Sequence, residues 1–111
     1  MNYWLTGEMT AEFTNATTTQ FIDARTRSWA TDLLQALDVP TRILPQVVEP
    51  GTIVGSIGAD AHPSLHGTRV VAPACHDTGS AVAAVCANRH RAFLSSGTWS
   101  LLGTELDAPV I

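Results

Sequence analysis

The sequence predicts a mixed α/β fold, and three observations lead to that prediction. Apolar residues make up 45% of the 111 residues, so the chain is expected to fold rather than stay disordered. Short apolar or β-branched stretches, bounded by glycine and proline, are typical of strands. Two stretches, 29–37 and 77–87, instead carry the periodic or small apolar residues of helices. The length corresponds to one domain or a piece of one.

The N-terminal residues predict short elements separated by a turn. Residues 2–6, followed by Gly7, are typical of a last helical turn with a glycine stop. The polar stretch 14–19 predicts a turn that leads into a short strand over residues 20–23.

An amphipathic helix is predicted over residues 29–37, with Ser28 as its N-cap. Its apolar residues recur at helical spacing: Trp29, Leu33 and Leu37, with Leu34 beside them. The next proline is expected to end the helix, because its ring cannot donate a backbone hydrogen bond.

The middle of the chain predicts two strands between turns and loops. In order, residues 41–48 are apolar and interrupted by Pro45, 50–51 form a turn, 53–57 a strand, 58–67 a loop and 69–72 a strand that ends at Pro73.

The last part predicts a helix followed by two strands around a tight turn. The helix runs from Asp77 to about Ala87, and its small apolar residues indicate burial on most sides. A polar turn over 88–91 then leads to strand 93–96, turn 97–98 and strand 99–103. The three tryptophans are expected to pack structurally, at Trp4, Trp29 and Trp99. For Trp99, which follows the Ser-Gly-Thr turn, the alternative is that it lines a cleft.

The charged residues exclude several functions. All six basic residues are arginines, so a phosphate-loop lysine and a Schiff-base lysine are both excluded. The net charge of −4 and the lack of a basic patch argue against a nucleic-acid partner. Charged residues make up only 14%, below the ~25% typical of soluble domains. Part of the surface is therefore expected to meet other protein.

Hydropathy and cysteine usage predict a cytoplasmic protein. The longest uncharged run, residues 92–104, is too short for a membrane-spanning helix. Met1 is followed by no basic and apolar signal sequence. Cys75 and Cys86 are too few for a disulfide scaffold, so free thiols are expected.

Two segments carry residues suited to chemistry. Residues 74–80 place Asp77 where a strand gives way to a helix, so its carboxylate can cap the helix and face a cleft. Residues 94–103 place a Ser-Gly-Thr turn between two apolar strands. Such a turn exposes N–H groups and hydroxyls that suit a phosphate. Taken singly, an ordinary helix cap and an ordinary hairpin turn explain these segments equally well.

Together, in this order and spacing, the two segments resemble the middle of the FGGY carbohydrate kinases, and most closely the rhamnulokinase members of that family. The resemblance runs nearly end to end and is carried by Leu5-Thr6-Gly7-Glu8, Thr14-Asn15-Ala16-Thr17-Thr18-Thr19-Gln20, Trp29 with Leu33-Leu34, Leu44-Pro45, Pro50-Gly51-Thr52 with Gly55, His76-Asp77-Thr78, and Ser95-Ser96-Gly97-Thr98-Trp99-Ser100-Leu101-Leu102-Gly103. The last two stretches are the most specific.

The resemblance implies a two-domain kinase of the actin and hexokinase (ribonuclease H-like) type. It implies ATP-dependent phosphorylation of a sugar, L-rhamnulose, to the 1-phosphate, with Mg²⁺ accompanying ATP. Asp77 would be the general base that takes the proton of the sugar hydroxyl. His76 and Thr78 would contact the sugar, and Gly97 and Thr98 the nucleotide phosphates. No side chain of this chain is assigned as a metal ligand.

The resemblance also implies that the chain is a fragment. Complete members are several times longer and carry further phosphate-, sugar- and adenosine-binding motifs. Residues 1–90 would be the end of the first domain, and residues 91–111 the start of the second. The isolated chain is therefore expected to lack kinase activity. The residues leave open the oligomeric state and a related substrate, such as xylulose, fuculose, ribulose or glycerol.

Other functions fit parts of the sequence less well. The run Asp77-Thr78-Gly79-Ser80 matches one half of a retropepsin-like aspartic protease, but that enzyme needs β-structure after the aspartate. The same run fits the N-terminal phosphate hairpin of an actin-like kinase, but it lies too far along the chain. The candidate metal ligands, His62, His66, Cys75, His76, Cys86 and His90, lack a typical zinc spacing. An inert remnant or a non-catalytic binding fragment also remains as an alternative.

Overall fold

The structure, a computed structural model, describes residues 1–85, 92–108 and 110. Its contacts divide the chain into two compact units, Met1–Cys75 and His76–Ile111. The predicted boundary between domains 1–90 and 91–111 falls outside the described residues and stays a prediction. In the parts of the chain that are described, no helix combines the length and the hydropathy needed to cross a bilayer.

The first unit consists of short helices and two-stranded ladders. Its elements are α1 (Asn2–Thr6), β1 (Thr10–Glu12), α2 (Phe13–Ala16), β2 (Ile22–Asp23), β3 (Ser28–Trp29), α3 (Thr31–Ala36), β4 (Gln46–Val48), β5 (Ile53–Ser56) and β6 (Arg69–Val71), with 3₁₀ turns at Thr17–Thr19, Thr41–Ile43 and Pro63–Leu65. Strand β1 pairs in parallel with β4, whereas β2–β3 and β5–β6 are antiparallel.

Glycines end α1 and shape the turn before β5, as predicted. Gly7 has a φ of 80° and its N–H donates to the Tyr3 carbonyl at 2.8 Å. Gly51, with a φ of 87°, follows Pro50 in the predicted turn. Both positive φ values lie in the left-handed region that glycine adopts without a Cβ clash. The predicted strands at 53–57 and 69–72 are likewise confirmed, each one residue shorter at its C-terminal end.

The predicted helix over 29–37 is wrong at its start. Ser28 is not its N-cap, because Ser28 and Trp29 form β3 and pair with Asp23 and Ile22. The Trp29 indole N–H also donates to the Pro45 carbonyl at 2.7 Å. This contact fixes the Trp29 side chain outside the helix. The helix begins only at Thr31, and no side chain caps it.

The core of the first unit is small. Of the predicted apolar face, Leu34 is fully buried, whereas Leu33 and Leu37 are 53% and 62% exposed. The other buried apolar residues are Ala16, Val54 and Ala72. Trp4, predicted to pack, is instead 83% exposed. Small side chains thus let the short elements approach closely, with one leucine filling the interior.

The second unit contains one helix and one hairpin. Helix α4 spans Asp77–Val85, and β7 (Ala92–Ser96) pairs antiparallel with β8 (Ser100–Thr104). The Gly97 N–H donates to the Trp99 carbonyl at 3.0 Å and closes the connecting turn. The predicted strand, turn and strand are therefore confirmed. The predicted turn at 88–91 and the thiol of Cys86 lie outside the described residues.

The predicted burial of α4 on most sides is wrong. None of its described residues is buried, and Val85 is 69% exposed. Among the described residues of its own unit, the helix packs against the hairpin, where Phe93 lines a shallow depression with Ala81 and Val82. One two-stranded hairpin covers only one side of a helix, so the remaining small apolar side chains face outward.

Candidate functional site

The second unit brings the two predicted chemical segments to one open groove of about 580 Å³. The groove is lined by His76, Asp77, Thr78, Ala81, Ser95, Gly97, Thr98 and Trp99. All five site residues predicted from the sequence are among them. The first turn of α4 supplies one side of the groove, and the hairpin turn supplies the other.

Asp77 presents its carboxylate to the groove. The side chain is 98% exposed. Its Oδ1 accepts hydrogen bonds from the Thr78 N–H at 2.6 Å and from the Thr78 hydroxyl at 3.4 Å. These bonds orient one carboxylate oxygen, Oδ1, along the start of the helix.

His76, rather than Asp77, occupies the cap position of α4. The His76 carbonyl accepts the first helical hydrogen bond, from the Ser80 N–H at 2.9 Å. The predicted N-cap at Asp77 is therefore displaced by one residue. The Asp77 carboxylate still satisfies a backbone N–H at the helix start, where a negative charge is favourable. The His76 ring lies beside it, with Nε2 at 4.0 Å from Asp77 Oδ1.

The hairpin turn leaves room for a bulky ligand. No atom lies within 4 Å of the position that a Cβ would take on Gly97. The Gly97 N–H is already used inside the turn, in its bond to the Trp99 carbonyl. Thr98 is exposed, so its hydroxyl and backbone are the accessible donors of the turn. Trp99 is 78% exposed and lines the groove, so the packing role is wrong and the alternative interpretation of this residue is confirmed.

The residues that line the groove are better suited to bind a phosphate than to coordinate a metal ion by themselves. The hydroxyls of Thr78, Ser95 and Thr98 can donate to phosphate oxygens, and Asp77 is the one carboxylate among the lining residues. Mg²⁺ in phosphoryl-transfer sites is commonly held by one or two carboxylates together with substrate phosphates. A Mg²⁺ ion at this groove would therefore need substrate phosphates to complete its coordination.

The other candidate metal ligands that the structure describes do not assemble into a site. Within residues 1–85, 92–108 and 110, no three acidic, histidine or cysteine side chains come together in a way that could hold a metal ion. His62 Nδ1 bonds with the Ser64 hydroxyl at 2.8 Å, and His66 Nε2 bonds with the Ala61 carbonyl at 2.9 Å. Cys86 and His90 lie outside these residues.

Sequence reasoning missed Glu12, a buried carboxylate in the first unit that is only 6% exposed. Its oxygens accept hydrogen bonds from the Thr14 N–H at 2.8 Å, the Thr14 hydroxyl at 2.6 Å and the Asn15 N–H at 3.2 Å. They also accept from the Cys75 N–H at 2.9 Å, although Cys75 is 63 residues away in sequence. The three-residue strand β1 is too short to show a periodic pattern, so no sequence signal marked Glu12 as buried.

The hydrogen bonds keep Glu12 ionised. Burial, the largest single effect, raises the pKa of Glu12, but the bonds from Thr14, Cys75 and Asn15 together bring it below the usual 4.5. Burial raises the pKa of the Cys75 thiol, and the negative charge and hydrogen bond of Glu12 raise it further. Glu12 is therefore a carboxylate, and Cys75 a thiol, at neutral pH.

We expect Glu12 to make the stability of the chain sensitive to acid. Because its folded-state pKa lies below 4.5, its stabilisation is complete above that pH and is lost as the pH falls through the folded value. Glu12→Gln should lower the free energy of unfolding at pH 7 by about 1–3 kcal/mol, because the amide cannot serve every donor. It should also flatten the pH dependence below 4.5, measured by urea denaturation. An unchanged acid dependence in the variant would contradict this assignment.

Comparison with known proteins identifies the family. Residues 1–86 match the N-terminal domain of the FGGY family of carbohydrate kinases. A rhamnulokinase of Pectobacterium carotovorum is 47% identical over 109 residues, which cover 97% of this chain and 21% of that protein. A rhamnulokinase of Bacteroides thetaiotaomicron is 45% identical over 114 residues, covering 100% of this chain and 24% of its own length.

Solved structures agree on the fold. The xylulose kinase of Lactobacillus acidophilus superposes with a TM-score of 0.80 at 23% identity, over 98% of this chain and 23% of that one. The gluconate kinase of the same organism gives the same TM-score and identity. These similarities confirm the predicted fold class, an α/β segment of an actin- and hexokinase-like kinase. The chain spans less than a quarter of the length of these two structures. With 86 of its residues matched to one family domain, this chain belongs to the FGGY family of carbohydrate kinases.

Proposed function

We propose that the full-length protein carrying this chain transfers the γ-phosphoryl group of ATP to a sugar, L-rhamnulose, and forms the 1-phosphate. The observation that supports this most is the single groove that joins Asp77 and Thr98 in the second unit. A base on one side and phosphate-binding groups on the other are what phosphoryl transfer to a hydroxyl requires. The choice of L-rhamnulose draws on the rhamnulokinases that resemble this chain.

Asp77 acts as the general base in this proposal. Its exposed carboxylate can accept the proton of the sugar hydroxyl as the hydroxyl oxygen attacks the phosphorus. The Thr78 N–H, 2.6 Å from Oδ1, restrains the rotation of the carboxylate. Little covalent chemistry is needed from the protein beyond this proton transfer, because positioning and charge stabilisation carry most of the catalysis.

The remaining groove residues bind the two substrates. His76 and Thr78 flank the base, so they are the side chains we assign to the sugar hydroxyls. Gly97 admits a phosphate because no Cβ obstructs it, and Thr98 donates to the phosphate oxygens. ATP supplies the phosphoryl group, and a Mg²⁺ ion bound with ATP would supply charge neutralisation at its phosphates. Since ATP is the donor inside cells, the proposed reaction is cytoplasmic.

The rival functions have less support. The helix that starts at Asp77 replaces the β-structure that an aspartic-protease half would need. An inert or purely binding role fits the isolated 111-residue chain. We expect no turnover from it, because it covers only 21% and 24% of the two rhamnulokinases compared above.

The experiment is a substrate panel with a full-length protein that carries this chain. Consumption of ATP is coupled to a spectroscopic readout, and L-rhamnulose, L-fuculose, xylulose, ribulose and glycerol are compared by kcat/KM. We expect L-rhamnulose to give the highest value and the product to be the 1-phosphate by NMR. Preference for another sugar would overturn the substrate assignment, and no ATP-dependent turnover with any sugar would overturn the proposed activity.

A further inference from the structure

The Glu12 carboxylate ties together two segments that are distant in sequence. One set of donors lies at the start of α2, where the N–H groups of Thr14 and Asn15 point at the carboxylate. The other donor is the Cys75 N–H, 63 residues further along. Glu12 itself ends β1, whose pairing with β4 places Glu12 opposite Val48. The carboxylate is thus anchored on a paired strand and reaches a second, remote piece of backbone.

The bond to Cys75 is expected to be a strong one. An ionised carboxylate forms shorter and stronger hydrogen bonds with N–H groups than a neutral acceptor does. The carboxylate is 6% exposed, so water does not compete freely for it. The Thr14 and Asn15 donors neutralise part of the charge. Among the residues that the structure describes, the titratable group that faces the carboxylate is the Cys75 thiol, which remains protonated at neutral pH.

Cys75 lies in the irregular segment just before the start of α4. Strand β6 ends at Val71 and α4 begins at Asp77, so residues 72–76 lie between regular elements. Ala72 is held by bonds with Gly51 and Thr52, at 2.7 and 2.8 Å. Further along this segment, the Cys75 N–H donates to the Glu12 carboxylate at 2.9 Å. His76 and Asp77 follow immediately in the sequence.

We propose that Glu12 is a positioning residue for the phosphoryl transfer assigned above: its carboxylate holds the Cys75 backbone from which His76 and Asp77 extend. This inference rests on the proposed function, because positioning has meaning only if Asp77 is the base. Glu12 is not among the residues that line the groove. It acts by limiting the motion of the backbone two residues before Asp77, and small displacements of a base are costly in catalysis.

Glu12→Asp separates the two roles of this carboxylate. Aspartate is a good N-cap residue, so the shorter side chain can still accept from the first N–H groups of α2. Lacking one methylene, it falls short of the Cys75 N–H. The matched control is Glu49→Asp, the same change at an exposed glutamate that pairs with Arg27 at 2.7 Å.

Two readouts test the proposal. In the 111-residue chain, Glu12→Asp should speed hydrogen exchange of the Cys75 amide about tenfold or more, as expected when a bond to a charged group is lost. In a full-length protein carrying the chain, kcat should fall about 10- to 100-fold, with the KM for ATP unchanged. Kinetics are measured well below the unfolding midpoint. The control, Glu49→Asp, should change neither the exchange rate of the Cys75 amide nor kcat.

Each possible result either supports or overturns the role proposed for Glu12. A Glu12→Asp protein that melts earlier but keeps its kcat while folded would show a purely structural role and overturn the proposal. Unchanged exchange at Cys75 would overturn it too. Failure of the proposed function looks different: the unsubstituted full-length protein would then show no ATP-dependent turnover with any sugar, and retained turnover in Asp77→Asn would remove the base assignment alone. If Asp77→Asn abolishes turnover and Glu12→Asp does not reduce it, only the inference about Glu12 fails.

Discussion

Asp77→Asn, introduced into a full-length kinase that carries this chain, is expected to lower kcat by about 10²- to 10⁴-fold, the usual cost of losing a general base. The dissociation constant for ATP should stay nearly unchanged. The asparagine oxygen can keep the bond that Asp77 Oδ1 accepts from the Thr78 N–H. The amide cannot take a proton from the sugar hydroxyl, so the variant should bind substrates without turning them over.

The control for this experiment is Asp32→Asn. Asp32 is an exposed acid in the first turn of α3, so the change removes the same charge from the same kind of helix position. Steady-state kinetics of phosphorylation and calorimetric titration with ATP give the two quantities. Turnover of Asp77→Asn near that of the parent protein would remove Asp77 from the role of base.

Thr98→Val has the second largest expected effect. The substitution keeps the shape of the side chain and removes its hydroxyl from the exposed hairpin turn. Hydrogen bonds to charged groups contribute about 1.5–3 kcal/mol, so ATP affinity should fall by about 10- to 100-fold. Sugar affinity should change much less, because the proposed sugar contacts lie on the other side of the groove, at His76 and Thr78.

Its matched control is Thr68→Val, at an exposed threonine of the first unit. ATP and sugar affinities of both variants can be measured by titration calorimetry on the full-length protein. If Thr98→Val weakened sugar binding more than ATP binding, Thr98 would belong to the sugar side of the groove. If neither affinity changed, the turn would be an ordinary hairpin connection.

The sequence correctly predicted the elements that depend on residues close together in the chain. Gly7 and Gly51 were predictable because a left-handed backbone without a Cβ clash needs glycine. The hairpin of β7 and β8 was predictable because its turn and both strands are contiguous in sequence. The predicted groove residues Asp77 and Thr98 were found because their motifs combine distinctive residue types at a set spacing.

Non-local contacts account for the errors. Strand β1 was missed because its three residues are stabilised by β4, a partner distant in sequence. The helix over 29–37 was misplaced at its start because Trp29 pairs with Ile22 and bonds to the Pro45 carbonyl. The spacing of apolar residues does not reveal such partners, because these contacts form only when the chain folds back on itself.

The sequence by itself determined the family, the fold class and the residues proposed for chemistry, because these depend on residue types in a fixed order. Only the tertiary structure decided which of those residues share a groove, that Trp99 faces it, and that Glu12 holds the Cys75 backbone. The physical reason is burial. A glutamate in sequence is by default a solvated charge, and it becomes a structural acceptor only where folding removes water and supplies N–H donors from distant segments.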